Sequence, residues 1–335
     1  ELDAQQLVRV VDGSKRLGLL SESLSQKFHQ VAAEKIGNSP IDCACWLLEF
    51  AAELGWGNSQ LVQAAVQVTT KRAGQLKDRD ALRISAALVA LRVEDRNLLE
   101  LFSHKVSQSE GSIRRETMLV IAADLTRLGY RSPEFLTAAC MRFLHDDAKA
   151  APRELARLVR ICAFSDWRDP GILRSIGRQI IRDLQTADPA SLVVLGSSFR
   201  RLDFRSEEFY LGIGALPKSH LDKFSNADLK ELLGSARDSN IRKDSFLAAI
   251  AQQVIERIDC IPSEMLSRVV SSFGKLNWRS PELLDALRRE LPVRVKRNEF
   301  SMEDAAFICT GLVVLDRTLG RAFWSQFSSN YHKYD

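Results

Sequence analysis

Apolar residues recur along this chain with two periods. Within short windows they return every three or four residues, the spacing that places side chains on one face of an α-helix. Over longer distances a phrase of turn-like residues returns at multiples of 37, as in LGYRSPEFL at 128–136 and LNWRSPELL at 276–284. The two periods together predict a chain built from repeated helical units.

The third residue of that phrase marks an anchor position in each repeat. Nine anchors lie 37 residues apart: Leu19, Trp56, Val93, Tyr130, Trp167, Phe204, Ile241, Trp278 and Leu315. Windows of 37 residues around them fill 3–335 without insertion or deletion: 3–39, 40–76, 77–113, 114–150, 151–187, 188–224, 225–261, 262–298 and 299–335. The prediction is a single continuous solenoid of nine repeats, with no separate catalytic domain.

Each window is predicted to hold two helices. An apolar residue stands nine places before every anchor, within a stripe typical of a buried helix face. Two places after the anchor, seven of the nine residues are good N-caps, and proline follows in three repeats, as at Pro133. A helical hairpin cannot bury its apolar faces alone and must stack on its neighbours. The fold class predicted is therefore all-α, an α-solenoid of about nine 37-residue helix-turn-helix repeats.

The strict period and the aromatic-Arg-Ser/Asp-Pro-Glu turn resemble the heptatricopeptide repeat, a relative of the octotricopeptide and pentatricopeptide repeats. This resemblance covers nearly the whole chain. It implies an organellar, mostly mitochondrial protein that binds RNA or sits in mitochondrial ribosomes against ribosomal RNA. Many members end in a RAP domain, a small α/β module suspected of nuclease activity, and no such module is recognisable in this sequence.

Arginine dominates the basic residues, although the formal net charge is only +4. There are 33 arginines and 14 lysines, and the planar arginine fork suits phosphate better than an ammonium does. Five consecutive repeats carry arginine directly after the anchor, a set that we call the turn ladder: Arg131, Arg168, Arg205, Arg242 and Arg279. Both RNA contact and bonding to the carbonyls that end the first helix remain open for these residues.

The exposed side of the first helix offers a second candidate surface for RNA. Positions ten and three before the anchor lie opposite the apolar stripe, and we call them the first-helix rows. Their basic residues in the first eight repeats are Arg9, Arg16, Arg83, Arg127, Arg157, Arg201, Arg268 and Lys275. Three acids share these rows, and a solvated helix face is the alternative interpretation. Only two aromatics lie there, Trp46 and Phe164, so backbone and shape recognition is favoured over base-by-base readout.

The ninth repeat departs from the pattern, because AAFICTGLVVL is apolar on every face. Such a helix is not expected to face water, and five aromatics follow in the last thirteen residues. The prediction is a protein interface at this end, formed by Ala305, Ile308, Leu312, Trp324, Phe327 and Tyr331. The alternative is that the aromatics close the last hairpin.

Catalytic and metal-binding motifs are not recognisable in the sequence. The five histidines fall at different repeat offsets, without H-E-x-x-H, G-x-S-x-G or a glycine-rich phosphate loop. The six cysteines show no zinc spacing and are expected to be small buried hydrophobes, and no apolar run reaches transmembrane length. We expect no enzyme activity, no metal, no cofactor, no small-molecule substrate and no membrane contact.

Three functions are open at this stage. The first is a mitochondrial RNA-binding protein, most simply a structural component of the mitochondrial ribosome that contacts ribosomal RNA through its arginine-rich face. The second is a protein-protein scaffold in an organellar complex, and the third is a free organellar RNA processing or stability factor. RNA binding predicts one continuous basic strip along the stack, whereas a scaffold predicts scattered charge and an apolar groove. The mitochondrial and ribosomal expectations come from the resemblance alone.

Overall fold

The structure is a computed structural model that describes residues 4–19, 21–56, 60–72, 77–93, 95–108, 113–145 and 150–331. Every regular element within these ranges is helical. The helices pack in neighbouring pairs, so the predicted fold class, an all-α chain of helical hairpins in the manner of an α-solenoid, is confirmed. No helix in the described ranges has the length and apolar character needed to cross a bilayer.

The helix bounds repeat with the predicted period. Numbered along the chain, the first helices of the hairpins are α1 Ala4–Arg16, α3 Ile41–Glu53, α5 Asp78–Ala90, α7 Arg115–Arg127, α9 Pro152–Phe164, α11 Pro189–Arg201, α14 Asn226–Asp238, α16 Ser263–Lys275 and α18 Met302–Leu315. The second helices are α2 Glu22–Lys35, α4 Gln60–Lys71, α6 Arg96–Ser107, α8 Pro133–His145, α10 Pro170–Arg182, α12 Glu207–Gly214 with the short α13 Lys218–Leu221, α15 Asp244–Glu256, α17 Pro281–Lys296 and α19 Arg317–Tyr331. From α1 to α16, each first helix begins 37 residues after the one before.

The chain divides into two compact units, residues 1–149 with 164–167, and residues 150–163 with 168–335. In the first unit the first helices α1, α3, α5 and α7 pack in succession, as do the second helices α2, α4, α6 and α8. The second unit repeats this arrangement, with α11, α14, α16 and α18 in one row and α10, α12, α15, α17 and α19 in the other. The single continuous solenoid with nine window boundaries stays a prediction.

The anchor residues owe their character to the turn that ends each first helix. The residue before the anchor has a positive φ in eight repeats: Gly18, Gly55, Arg92, Gly129, Asp166, Asp203, Asn240 and Asn277. The anchor amide then bonds five residues back, as Trp278 does to Phe273 O at 3.1 Å. This is the Schellman arrangement, which favours an apolar residue at the anchor. The Trp278 and Phe273 rings lie 5.3 Å apart.

The predicted apolar stripe of the first helices forms much of the core. The residues nine before the anchor are buried from Leu47 to Val269, but the members in the terminal repeats, Val10 and Ala306, are exposed. Four of the six cysteines are also buried, and burial raises the pKa of the Cys45 thiol to about 12. An uncharged Cys45 thiol packs as a small hydrophobe.

Candidate RNA-binding surface

The five turn-ladder arginines are all exposed, but they do not share one role. Arg205 donates from Nε to the carbonyl of Ser239 at 3.0 Å, and Arg279 donates from Nη2 to the carbonyl of Val314 at 2.6 Å. Both carbonyls lie at the end of the next first helix, where cationic donors are favourable. Arg205 and Arg279 therefore tie adjacent hairpins together.

The other three turn-ladder arginines differ from one another in whether they have a partner within the chain. Arg131 and Arg242 have no hydrogen bond or ion pair with any described residue, whereas Arg168 has a partner within the chain. The sequence left anchoring and RNA contact open for the whole ladder, and the structure shows anchoring at Arg205 and Arg279. RNA contact by the ladder stays a prediction.

The first-helix rows are exposed or half-buried, as expected, but half of their cations are already neutralised. The pairs are Arg16 with Asp12 at 2.9 Å, Arg83 with Glu49 at 2.5 Å, Arg127 with Asp124 at 3.3 Å and Arg268 with Glu303 at 2.7 Å. Arg201 donates to the carbonyl of Ala163 at 3.0 Å. Arg9, Arg157 and Lys275 are exposed without such a partner in the described ranges.

These ion pairs interrupt the continuous basic strip that the sequence predicted. The acids were overlooked because they stand outside the two rows. Asp12 and Asp124 lie one helical turn from their partners, and Glu49 lies on the first helix of the preceding repeat. Neither unit presents an unbroken row of available cations on its first helices.

Positive charge concentrates instead on the hairpin α9–α10, which we call the basic hairpin. Residues 152–182 contain seven arginines and three acids, an excess of four that equals the net charge of the whole chain. On α9, Arg153, Arg157 and Arg160 are exposed at spacings of four and three. A spacing of this kind places side chains on one helix face, so α9 presents a basic stripe.

The second helix of the basic hairpin carries a row that the sequence analysis did not single out. Arg174, Arg178 and Arg182 are exposed at intervals of four, with no hydrogen bond or ion pair to the described residues. The carboxylate of Asp169 caps α10 by accepting from the amide of Ile172 at 2.9 Å. Helix α10 itself contains no acid. Because the arginines are four residues apart, consecutive members of the row are about 6 Å apart along the helix axis.

Burial of the opposite face of α10 turns this row outward. Leu173, Ile176 and Ile180 are buried and face the neighbouring helices. One repeat later, the residue that corresponds to Arg174 is Leu211 on α12, which packs against α10, and it offers no carboxylate. The spacing RxxxRxxxR without an intervening acid is the signal in the sequence, and it lies on a second helix, outside the turn ladder and the first-helix rows.

The predicted interface in the ninth repeat requires a correction. Ala305, Ile308 and Leu312 are each 0% exposed, so they pack inside this chain and are not available on its surface. Only Asp316 separates α18 from α19, whereas the earlier repeats have a turn with a left-handed residue. Helix α18 also begins two residues later than the period predicts, and its buried face is displaced as a result.

A close contact between α16 and α18 accounts for this burial. A side-chain carbon on Gly311 would lie 2.5 Å from the carbonyl oxygen of Val270, so glycine permits the backbones to approach. Of the predicted interface residues, Trp324 is exposed, at 45%, and it is joined by Met302 and Val313, which were not predicted, at 45% and 61%. Phe327 is buried, and the side chain of Tyr331 lies outside the described part of the structure.

Catalytic or metal chemistry has no visible support in the described ranges. Three or more histidine, cysteine, aspartate or glutamate residues do not converge there in a way that could hold a metal ion. The basic hairpin supplies many donors for an anion.

A family model described as RNA-editing substrate-binding complex 6 protein matches residues 19–318. The chain belongs to this family. No curated protein matches the sequence. The matched region contains the helical hairpins from α2 to the beginning of α19, so the helical-repeat character stands, while the finer assignment to heptatricopeptide repeats stays a prediction.

Proposed function

We propose that this protein is an RNA-binding component of a mitochondrial RNA-editing substrate-binding complex and that it contacts RNA through the basic hairpin. The family description names an RNA-editing substrate-binding complex and gives no support to the ribosomal role expected from the resemblance. The single observation that carries the proposal is the set of exposed arginines on α9 and α10, of which Arg157, Arg174, Arg178 and Arg182 have no hydrogen bond or ion pair with the described residues. Mitochondrial location rests on the family and on the repeat resemblance.

The arginine row of α10 suits the sugar-phosphate backbone of RNA. Arginine binds phosphate through two parallel N–H donors. Release of condensed counterions on each phosphate contact supplies affinity that does not depend on sequence. Because no aromatic residue lies on α10, we expect the row to hold and orient RNA more than to read its bases.

The name of the family describes a complex, so protein partners are part of the proposal. The exposed apolar residues Met302, Val313 and Trp324 at the C-terminal end offer an apolar surface, in place of the buried Ala305, Ile308 and Leu312. Exposed aromatic and methionine side chains are enriched at protein interfaces. We propose no enzyme activity for this chain and no cofactor.

The experiment is a salt titration of RNA binding with two matched triple variants. The test variant is Arg174→Gln, Arg178→Gln and Arg182→Gln. The control changes Lys296, Arg317 and Arg321 to Gln, because these three are also exposed and unpaired among the described residues. Both variants lose three charges, so general electrostatics changes equally in the two.

We expect the α10 variant to bind a single-stranded RNA about tenfold more weakly at 150 mM salt, and the slope of log K against log salt to fall by about two. The control should keep nearly the parent slope. Equal loss in the two variants would contradict a localised site. Absence of binding by the parent at low salt would favour the scaffold hypothesis.

A further inference from the structure

A groove in the first unit has the size and lining of a nucleotide site. Its volume is about 660 Å³, and it is lined by Arg96, Leu99, Leu128, Gly129, Tyr130 and Arg131. Arg96 is the first residue of α6, and Arg131 stands in the turn between α7 and α8. Sites for small molecules commonly have volumes of about 300–1,000 Å³. The groove therefore has room for one nucleotide.

The two arginines bring two exposed cationic side chains to this groove. Neither side chain has a hydrogen bond or ion pair with the described residues. Asp95 accepts from the amides of Asn97 and Leu98 at 3.0 and 3.2 Å, and Glu134 lies 3.8 Å from Nδ1 of His104. Neither carboxylate is bonded to Arg96 or Arg131. Arg96 and Arg131 are thus available to an anion.

The rest of the lining is apolar or aromatic. Leu99 is buried, Tyr130 is half-buried, and the hydroxyl of Ser103 lies 3.4 Å from the Tyr130 hydroxyl. Gly129 has a φ of 71°, and a side-chain carbon built on it would meet no atom within 4 Å, so the groove is open above its backbone. An aromatic ring beside two arginines suits the stacking of a base next to its phosphate.

The turn that leads into α6 adds a third exposed arginine. Arg92 has a φ of 48°, in a position that seven other repeats fill with glycine, aspartate or asparagine. The left-handed conformation is strained for arginine. The Arg92 side chain has no hydrogen bond or ion pair in the described ranges, so its charge adds to the positive potential at this turn.

We propose that this groove binds one nucleotide of a single-stranded RNA, with its phosphate on Arg96 and Arg131 and its base against Tyr130. The inference rests on the proposed function, but it concerns the first unit and not the basic hairpin. Failure of the groove and failure of RNA binding can therefore be told apart.

The test uses a fluorescein-labelled ten-residue uridine RNA and the same RNA with 4-thiouridine for photo-crosslinking. The first variant combines Arg96→Gln with Arg131→Gln, and its control combines Lys27→Gln with Arg79→Gln, two exposed and unpaired cations of the same unit. The second variant is Tyr130→Leu. Leucine, valine and isoleucine occupy the same anchor position in other repeats, so this change is compatible with the turn.

In the parent we expect crosslinks on the peptide that contains Tyr130. The double arginine variant should lose them, bind about fivefold more weakly and show a salt slope lower by about 0.7, the value for one phosphate on a single strand. Tyr130→Leu should reduce the crosslink yield and leave the salt slope unchanged. A purely structural role of Tyr130 would not lower the crosslink yield while leaving the salt slope unchanged.

Three results would overturn the inference. RNA binding that the α10 variant abolishes, without any crosslink in the groove, would remove this site and leave the proposed function intact. Displacement of the RNA by uridine monophosphate at equal nucleotide concentration would assign the groove to a free nucleotide. Absence of RNA binding by the parent would remove both proposals.

Discussion

Two hairpins contain the same number of basic residues but differ in how many of their arginines form ion pairs. The basic hairpin, residues 152–182, and the hairpin α16–α17, residues 263–296, each contain seven. In α16–α17, three arginines form ion pairs: Arg268 with Glu303, Arg288 with Asp316 and Arg294 with Glu290. In the basic hairpin, four arginines have no such partner among the described residues: Arg157, Arg174, Arg178 and Arg182.

The difference comes from the neighbouring repeat. Glu303 and Asp316, which pair with Arg268 and Arg288, belong to the ninth repeat. Arg268 also lies 3.7 Å above the ring of Phe307, a favourable cation–π contact. The repeat after α10 places Leu211 where a carboxylate would be needed. A count of arginines therefore does not identify an RNA surface until the acids of adjacent repeats are known.

The largest effect is expected from Arg294→Ala, which removes an arginine whose hydrogen bonds and ion pair lie within the fold. Arg294 is 2% exposed and donates to the carbonyls of Ile261 and Ile258 at 2.6 and 2.5 Å. Its loss leaves these carbonyls and Glu290 without a donor, and should cost about 3 kcal/mol of unfolding free energy. Urea unfolding followed by circular dichroism measures the change. Arg178→Ala is the control. An equally large loss of unfolding free energy in that variant would contradict the distinction between arginines bonded within the fold and exposed arginines without a partner.

Gly311→Ala should have the next largest effect, because Gly311 lies at the close contact of α16 and α18, the helices that carry Arg268 and Glu303. The added carbon would meet the backbone of Val270 at 2.5 Å, so we expect a loss of about 1–3 kcal/mol. Gly234→Ala meets nothing within 4 Å in the middle of α14 and should be neutral or slightly stabilising. Thermal unfolding of the two variants gives the comparison. Similar melting temperatures would mean that the helices do not approach this closely.

A glutamate at position 211 should make the basic hairpin resemble α16–α17. Leu211 is 42% exposed and lies 37 residues after Arg174. An exposed ion pair contributes less than about 1 kcal/mol, so Leu211→Glu should weaken RNA binding about threefold and leave stability nearly unchanged. Fluorescence anisotropy with Leu211→Gln as the uncharged control measures the effect. Unchanged affinity would mean that Arg174 does not contact RNA.

The smallest effect is expected from Asp316→Asn, which removes an acid from α16–α17 and keeps a helix cap. The backbone amide of Leu319 and then the Arg288 guanidinium hold the pKa of Asp316 below its usual 3.8. Since this pKa is lower in the folded protein, the stabilisation is present above about pH 4 and disappears as the pH falls through the folded value. We expect a loss below about 1 kcal/mol at pH 7, and a flatter acid limb in urea midpoints measured between pH 7 and pH 3. An acid limb as steep as that of the parent would count against the ion pair.

The failures of sequence reasoning were confined to surfaces and to the last repeat. The rows on the first helices were correctly expected to be accessible, but acids such as Glu49 stand one repeat away and became visible as partners only in three dimensions. The groove between Arg96 and Arg131 joins residues 35 positions apart that belong to different repeats. Ala305, Ile308 and Leu312 were assigned to the surface because the period was extended into a repeat that lacks the left-handed turn.

The sequence by itself determined the helical hairpins, their 37-residue period and the position of the turn in the first eight repeats. These features depend on local interactions: the apolar spacing of a helix face, a cap such as Asp169, and a left-handed residue such as Gly129 before an apolar anchor. Only the tertiary structure decided which arginines are neutralised, because ion pairing depends on what an adjacent repeat places within about 4 Å. It also decided the burial of the ninth repeat, where two glycines let α16 and α18 approach more closely than side chains would allow.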